Sequence, residues 1–286
     1  MAKTITNAQT SLAYRLGESS VPSSSTELAK RIDWFTEAIN LACGGDELMW
    51  FMKRQSQDTT VADQSDYSTP TRWRKIIQVR VDGYKYDEIP YEEVYEKFNL
   101  PTSPVPILPA FQARSFYIYN DEIYLIPIPS AAPDTLSFSS ITQSGGTATA
   151  TTSSAHGLVR DEVITISGAT PSAYNGAQTI LTVPSTTTFT FAVNSGTSTP
   201  ATGTITGVKK NILIDYYEYP NTTSALTSSS SIIVPDNYLN LLVSYAEGRY
   251  WSTAFKRAKA SDAFTEFETL LDKLKKDNFR KMYLAK

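Results

Sequence analysis

The chain has 286 residues and a net charge of −3, which excludes broad, sequence-independent nucleic-acid binding, since that needs clustered Lys and Arg to displace counterions. At this length two domains are expected, and an apolar share of 41% is enough to bury their cores. The single cysteine, Cys43, excludes internal disulfides, and neither a zinc-type spacing, a signal-peptide core in Met1–Leu16 nor a membrane-spanning apolar run is present, so a soluble protein made in a cytoplasm is expected.

Along the chain, a short helix is predicted over Asn7–Leu16, with Gly17 as its stop. Ser24 and Glu27 have the spacing of a capping box. Leu28, Ile32, Phe35, Ile39 and Ala42 then recur at the interval of one buried helical stripe, ended by Gly44-Gly45. Asp46 can cap a further short helix carrying Leu48, Trp50, Phe51 and Met52. From Ser56 the pattern is extended; Ile76–Val81 alternates and Asp82-Gly83 marks a turn. Pro90 opens a short helix through Val94, and Pro101, Pro104, Pro106 and Pro109 imply an extended surface arm. A hairpin over Tyr117–Ile126 follows, turning at Asn120-Asp121.

Composition then breaks. Between Ser137 and Gly207 the only charged residues are Arg160, Asp161 and Glu162, and Ser, Thr, Gly and Ala dominate. The strand-like runs on either side, Phe116–Pro127 and Ile212–Tyr219, read as the arms of one hairpin into which a neutral module is inserted. Val163–Ile166, Thr179–Val183 and Thr188–Val193 are β-rich and bounded by turns such as Asn175-Gly176 and Ser195-Gly196, which suggests a small immunoglobulin-like sandwich. After it, Pro235 starts a long helix with Leu239, Leu242, Val243, Ala246, Tyr250 and Ala254 on one face, and a last helix carries Phe264, Phe267, Leu271 and Leu274. The expected fold class is α+β. Residues 1–136 and 208–286 form a host, a helical bundle with a small antiparallel sheet, and residues 137–207 an all-β, sandwich-like insertion.

Chemistry is sparse. The one histidine, His156, sits in a Ser-Ala-His-Gly-Leu turn with no nucleophile or carboxylate in a recognisable frame, and reads as a turn or packing residue. Cys43 closes a helical stripe and reads as a small buried side chain. The adjacent carboxylates Glu92-Glu93 and Asp121-Glu122 read as solvated surface, because strand neighbours point to opposite faces. Gly145-Gly146 lacks the spacing of a phosphate loop. Arg72, Arg74 and Lys75 around Trp73 read as a packed ring among solvated charges. No catalytic, cofactor-binding or metal-binding residue is expected, and no enzyme.

The ordered host segments resemble tailed-bacteriophage head–tail adaptor (connector) proteins. The resemblance rests on Tyr67-Ser68-Thr69-Pro70, Ile77-Gln78-Val79-Arg80-Val81-Asp82-Gly83, and Phe116–Asn120 with Tyr124–Pro129. It continues in Tyr216-Tyr217-Glu218-Tyr219-Pro220 and Ile233-Val234-Pro235-Asp236-Asn237-Tyr238. In the insert, Ser154–Leu158, Ile164–Gly168 and Tyr174-Asn175-Gly176 resemble small β modules of phage structural proteins. The plain adaptor has a short hairpin where this chain has its insert.

The resemblance implies a dodecameric homo-oligomeric ring beneath the portal vertex of the virion, made in the host bacterial cytoplasm. Such a ring extends the DNA channel and supports tail assembly. Implied partners are the portal protein, tail-tube, nozzle or fibre proteins, and double-stranded DNA passing without sequence-specific binding; no membrane and no cofactor are implied. The family's portal-docking role falls on Phe279, Arg280, Lys281, Met282 and Tyr283, where aromatic anchors lie among basic groups. The insert is expected on the outside of the ring. Two other readings are a neck or tail-tube protein further from the portal, and a β-sandwich glycan-binding adhesin with Tyr174 in its surface.

Overall fold

A computed structural model describes residues 3–45, 47–98, 114–220 and 226–284. Asp46 and the prolines of the expected arm lie outside these. The elements begin with α1 (Ile5–Leu16), α2 (Ser25–Cys43), β1 (Lys53–Asp58), β2 (Asp66–Ser68), β3 (Trp73–Val81), β4 (Tyr84–Glu88) and α3 (Tyr91–Phe98). They continue through β5 (Ser115–Tyr119), β6 (Glu122–Ile126), β7 (Thr135–Ser144), β8 (Thr147–Thr152), β9 (Val163–Ser167) and β10 (Gly176–Ser185). The last are β11 (Thr188–Ala192), β12 (Thr206–Lys209), β13 (Ile212–Glu218), α4 (Leu239–Thr253) and α5 (Arg257–Phe279).

Among the described residues thirteen strands accompany five α-helices, so the molecule is mostly β and not a helical bundle with a small sheet. Several strands have weak apolar signatures, and backbone pairing, which side-chain composition does not display, holds them. The chain divides into two compact units. One comprises Met1–Arg54, Thr71–Lys75 and Tyr217–Lys286, and the other Gln55–Pro70 and Ile76–Tyr216.

The first sheet has seven strands in the order β1-β13-β3-β4-β5-β6-β2. Both predicted two-residue turns are present. Asp82-Gly83 joins β3 to β4 and Asn120-Asp121 joins β5 to β6, all four residues at positive φ, as a hairpin matched to strand twist requires. The interrupted-hairpin reading is overturned: β6 lies between β5 and β2, whereas β13 lies between β1 and β3.

The neutral segment forms a closed six-stranded barrel, β10-β11-β8-β7-β12-β9, rather than an immunoglobulin-like sandwich. The strands absent from the sequence reading, β7, β8 and β12, make the difference. β12 pairs with β7 on one side and β9 on the other, so no edge is left between two layers. Ile141, Ala148, Ala150, Ile164, Ile166, Tyr174, Ile180, Phe189 and Phe191 fill the interior. Alanines opposite phenylalanines keep so narrow a barrel filled without strain.

Asn211 fixes the root of the barrel. Its amide accepts from the Thr60 N–H (2.8 Å) and donates to Thr60 Oγ1 (2.9 Å) and Asp82 Oδ1 (3.0 Å). Gln57 grips the barrel's main chain, donating to the Asp161 carbonyl (3.1 Å) and accepting from the Val163 N–H (2.9 Å).

In the helical unit, α1 begins where the Asn7 side chain accepts the Thr4 N–H (2.8 Å) and ends at Gly17, whose φ of 76° is left-handed. The capping box expected at Ser24 does not form, since Ser24 makes no side-chain cap. Glu27 lies instead 3.5 Å from Arg31 one turn on. Arg31, only 1% exposed, also bonds Glu18 at 2.6 Å. The buried face of α2 is therefore Arg31, Trp34, Phe35, Ala38, Ile39 and Ala42, rotated from the predicted stripe.

Helix α4 buries Leu239, Leu241, Leu242, Val243 and Ala246 against α1, α2 and α5, which explains its weak one-sidedness. Gly248 lets α5 approach closely; a Cβ there would sit 2.7 Å from the Phe264 ring. Gly248→Ala is expected to destabilise the fold by about 1–3 kcal/mol through overpacking, measured by denaturant unfolding.

Candidate docking site at the end of the last helix

The predicted docking residues begin with Phe279, the last residue of α5, and continue on a short π-helical turn over Arg280–Leu284. Its footing is polar and well satisfied. Asn278, buried, accepts the Trp50 N–H (2.9 Å) and donates to the Leu48 carbonyl (3.0 Å). The Tyr238 hydroxyl donates to Asp277, and the Lys281 ammonium lies over the Trp50 ring at 4.4 Å. These contacts fix the direction in which the turn leaves the helix.

From this base the structure brings three of the five residues together. Phe279 and Tyr283, 56% and 63% exposed, tilt against each other at 5.2 Å. With Met282 they line a groove of about 440 Å³ whose other walls are Glu47, Leu48, Lys275 and Asn278. Met282 also packs on the helical core. Arg280 stands apart, 3.9 Å from Asp277. The result is an aromatic pair beside a groove and two cations, a surface able to seat against an apolar pocket with acidic surroundings.

Compared with known protein families, residues 3–284 match the SU10 adaptor protein. The chain belongs to the SU10 adaptor protein family. It is thus a phage adaptor, a structural component of the virion that joins other phage proteins. No curated protein matches it.

Elsewhere in the adaptor the other candidate residues have structural occupations. His156 is buried: its Nδ1 accepts the Leu158 N–H (2.9 Å) and its ring meets Phe189 edge-on at 5.4 Å. Burial pushes the Cys43 thiol up to about 12, keeping it protonated, with Arg74 opposing weakly. Arg74 closes the end of α2 by donating to the carbonyls of Cys43, Gly45 and Glu47. Arg72, itself exposed, pairs with the buried Glu218, which also binds Arg54 at 3.1 Å, so Arg74 is the one of the two arginines beside Trp73 that main-chain carbonyls hold.

Tyr174, the residue suited to a sugar platform, is buried in the barrel with its hydroxyl on the Ser198 carbonyl (2.9 Å). Gly145-Gly146 forms the β7–β8 turn. Among the described residues no group of three metal-ligating side chains converges, and no helix is long and apolar enough to cross a membrane.

The sequence reading missed Asn278 and Tyr238. An asparagine inside an otherwise Lys-rich helix end was the available signal, because Asn is a poor helix residue unless its amide is used.

Two outcomes follow from this geometry. His156→Ala leaves the Leu158 N–H without its acceptor and is expected to cost about 1–3 kcal/mol of stability, read by unfolding and by faster amide exchange in the barrel. Burial first, and the bond to Asp277 second, push the Tyr238 hydroxyl from 10.0 up to about 12. Folding thus favours the neutral phenol. That contribution is whole below pH 10 and is lost as pH rises toward 12. Tyr238→Phe should flatten the fall in melting temperature across that window.

Proposed function

We propose that the adaptor forms a homo-oligomeric ring between portal and tail, extends the DNA channel and carries the tail-assembly platform. The observation that carries the reading is the family match across residues 3–284, with an exposed aromatic pair at its C-terminal end. The Phe279–Tyr283 turn docks on the portal, its aromatic rings entering a partner pocket and Lys281 facing acidic groups at the rim. Asn278 and Tyr238 hold the turn in its binding direction, which lowers the ordering cost of association.

Residues 137–207 act as an inserted module on the outer side of the ring. One such module per subunit would crowd a DNA-sized lumen, and its near-absence of charge suits a surface that does not hold DNA. The overall charge of −3 likewise favours DNA sliding over retention.

The test is co-purification with the portal protein of the same phage, followed by native mass measurement. A portal complex gaining a ring of copies supports the reading; a portal gaining none moves the chain further down the tail. Phe279→Ala with Tyr283→Ala should weaken portal binding by roughly 30-fold or more while the melting temperature holds. Unchanged affinity would show that the aromatic pair is not the docking element.

A further inference from the structure

The turn between α4 and α5 is built at a cost that the folded subunit does not recover. It is a Schellman closure: the Lys256 N–H bonds the Trp251 carbonyl (2.9 Å) and the Phe255 N–H the Ser252 carbonyl (3.2 Å). The residue just before Lys256 must take a left-handed backbone, where glycine is favoured. Here it is Phe255, with φ 57° and a side chain 92% exposed. A large aromatic in that conformation is strained, and its ring packs against nothing that offsets the strain.

Charge marks the same place. Residues 248–261 carry Arg249, Lys256, Arg257 and Lys259 and no acidic residue, so a chain of net −3 has +4 here and −7 on the remainder. Arg249 pairs with Glu37 and Lys259 covers the Trp251 ring at 4.2 Å, but Lys256 and Arg257 make no ion pair among the described residues. The first turn of α5 has no acidic residue either.

A complementary face lies on the β5–β6 hairpin and β2. The register pairs Asp66 with Tyr124, Ser68 with Glu122 and Tyr119 with Glu122, which sets Asp66 and Glu122 diagonally on one face with Asp121 in the turn beside them. None of the three makes an ion pair among the described residues. Burial, then the bond to Glu122 and the charge of Asp66, raise the Tyr124 phenol, as neighbouring carboxylates should. Tyr119, 50% exposed, stacks on Tyr91 at 4.6 Å. Like charges held together without a cation are destabilising until one arrives from outside.

We propose that the α4–α5 turn of one adaptor copy docks on this acidic, tyrosine-lined face of the next copy. Phe255 sits against Tyr119, and Lys256 and Arg257 face Asp66, Asp121 and Glu122. The inference rests on the ring reading, because a ring needs two different, mutually complementary surfaces on every subunit. Duplex DNA would also attract the cations, but it offers no unstacked base for a rigidly held ring, whereas a protein pocket uses an aromatic anchor.

The experiment is native mass measurement of portal–adaptor complexes assembled from purified proteins, with melting temperatures for every variant. Phe255→Gly is expected to raise the melting temperature by a few degrees yet leave the ring incomplete, a pairing that a purely structural role would not give. Lys256→Glu with Arg257→Glu should also leave it incomplete. Adding Asp66→Lys and Glu122→Lys to that variant should restore the ring. Complete rings from the Phe255→Gly and Lys256→Glu/Arg257→Glu variants would overturn the proposal, as would failure of the charge exchange to restore assembly. Binding of a duplex of about 30 base pairs that Lys256→Glu/Arg257→Glu abolishes while rings stay complete would assign the turn to DNA instead. Wild-type protein that meets the portal only as single copies would overturn the ring reading, and this proposal with it.

Discussion

A closed barrel requires every strand to be paired on both sides, and in this adaptor that requirement falls on four residues. β12 is the shortest barrel strand, yet it pairs with both β7 and β9. The chain leaves the barrel directly after it, and Asn211 takes over the backbone and side-chain groups that would otherwise lose their partners at the exit. Thr60, Asp58 and Asp82 all bond to this one residue. The seven-stranded sheet resumes at once with β13, so closure of one β structure and continuation of the other meet at a single asparagine. Buried amides are suited to this, having donors and acceptors enough to finish several loops together.

The helical unit has a different centre. α4 is surrounded, so its buried residues run around the helix rather than along a stripe. α1 and α2 cover it on two sides and α5 on a third, with the ring of Phe264 fitting where Gly248 has no side chain. Surrounding a helix in this way lets the outer ones carry charge on their far faces, and it places Arg15 where it bonds both Glu247 and Glu266. The Arg15 guanidinium holds the Glu266 carboxyl below the ordinary carboxylate range.

Much of this was legible in the amino-acid order where the local chemistry is strong. The Asp82-Gly83 and Asn120-Asp121 turns, the Gly17 stop and the strands at Val163, Thr179 and Thr188 all follow from residue type. β7 and β8 did not: Leu136, Phe138 and Ile141 of β7 all pack on the barrel core, but a register shift between Phe138 and Ser140 breaks their alternation, and β8 offers only Ala148 and Ala150 as apolar residues inside, small ones in a Ser/Thr background. Without them a barrel reads as a sandwich. Ser24 and Glu27 had the spacing of a capping box, but Arg31 lies one turn on and draws the Glu27 carboxylate, an ionic partner outcompeting a backbone N–H. The pairing of β13 with β1 and β3 was invisible for a more general reason: long-range strand order is decided by the whole sheet and leaves little mark on either run. The docking turn was legible in its aromatic and basic residues, and its footing was not, because Asn278 and Tyr238 act through groups distant in sequence.

The seat of the barrel has one further property. Gln57 holds it through the carbonyl of Asp161, which every residue has, and the N–H of Val163, which every residue but proline has. The grip is blind to side chains. Substitutions across the barrel's outer surface can therefore accumulate without loosening its attachment, and another barrel presenting the same turn could occupy the place. An attachment that reads only main chain separates the inheritance of the mount from the inheritance of what is mounted, leaving the exposed surface free to follow whatever it meets.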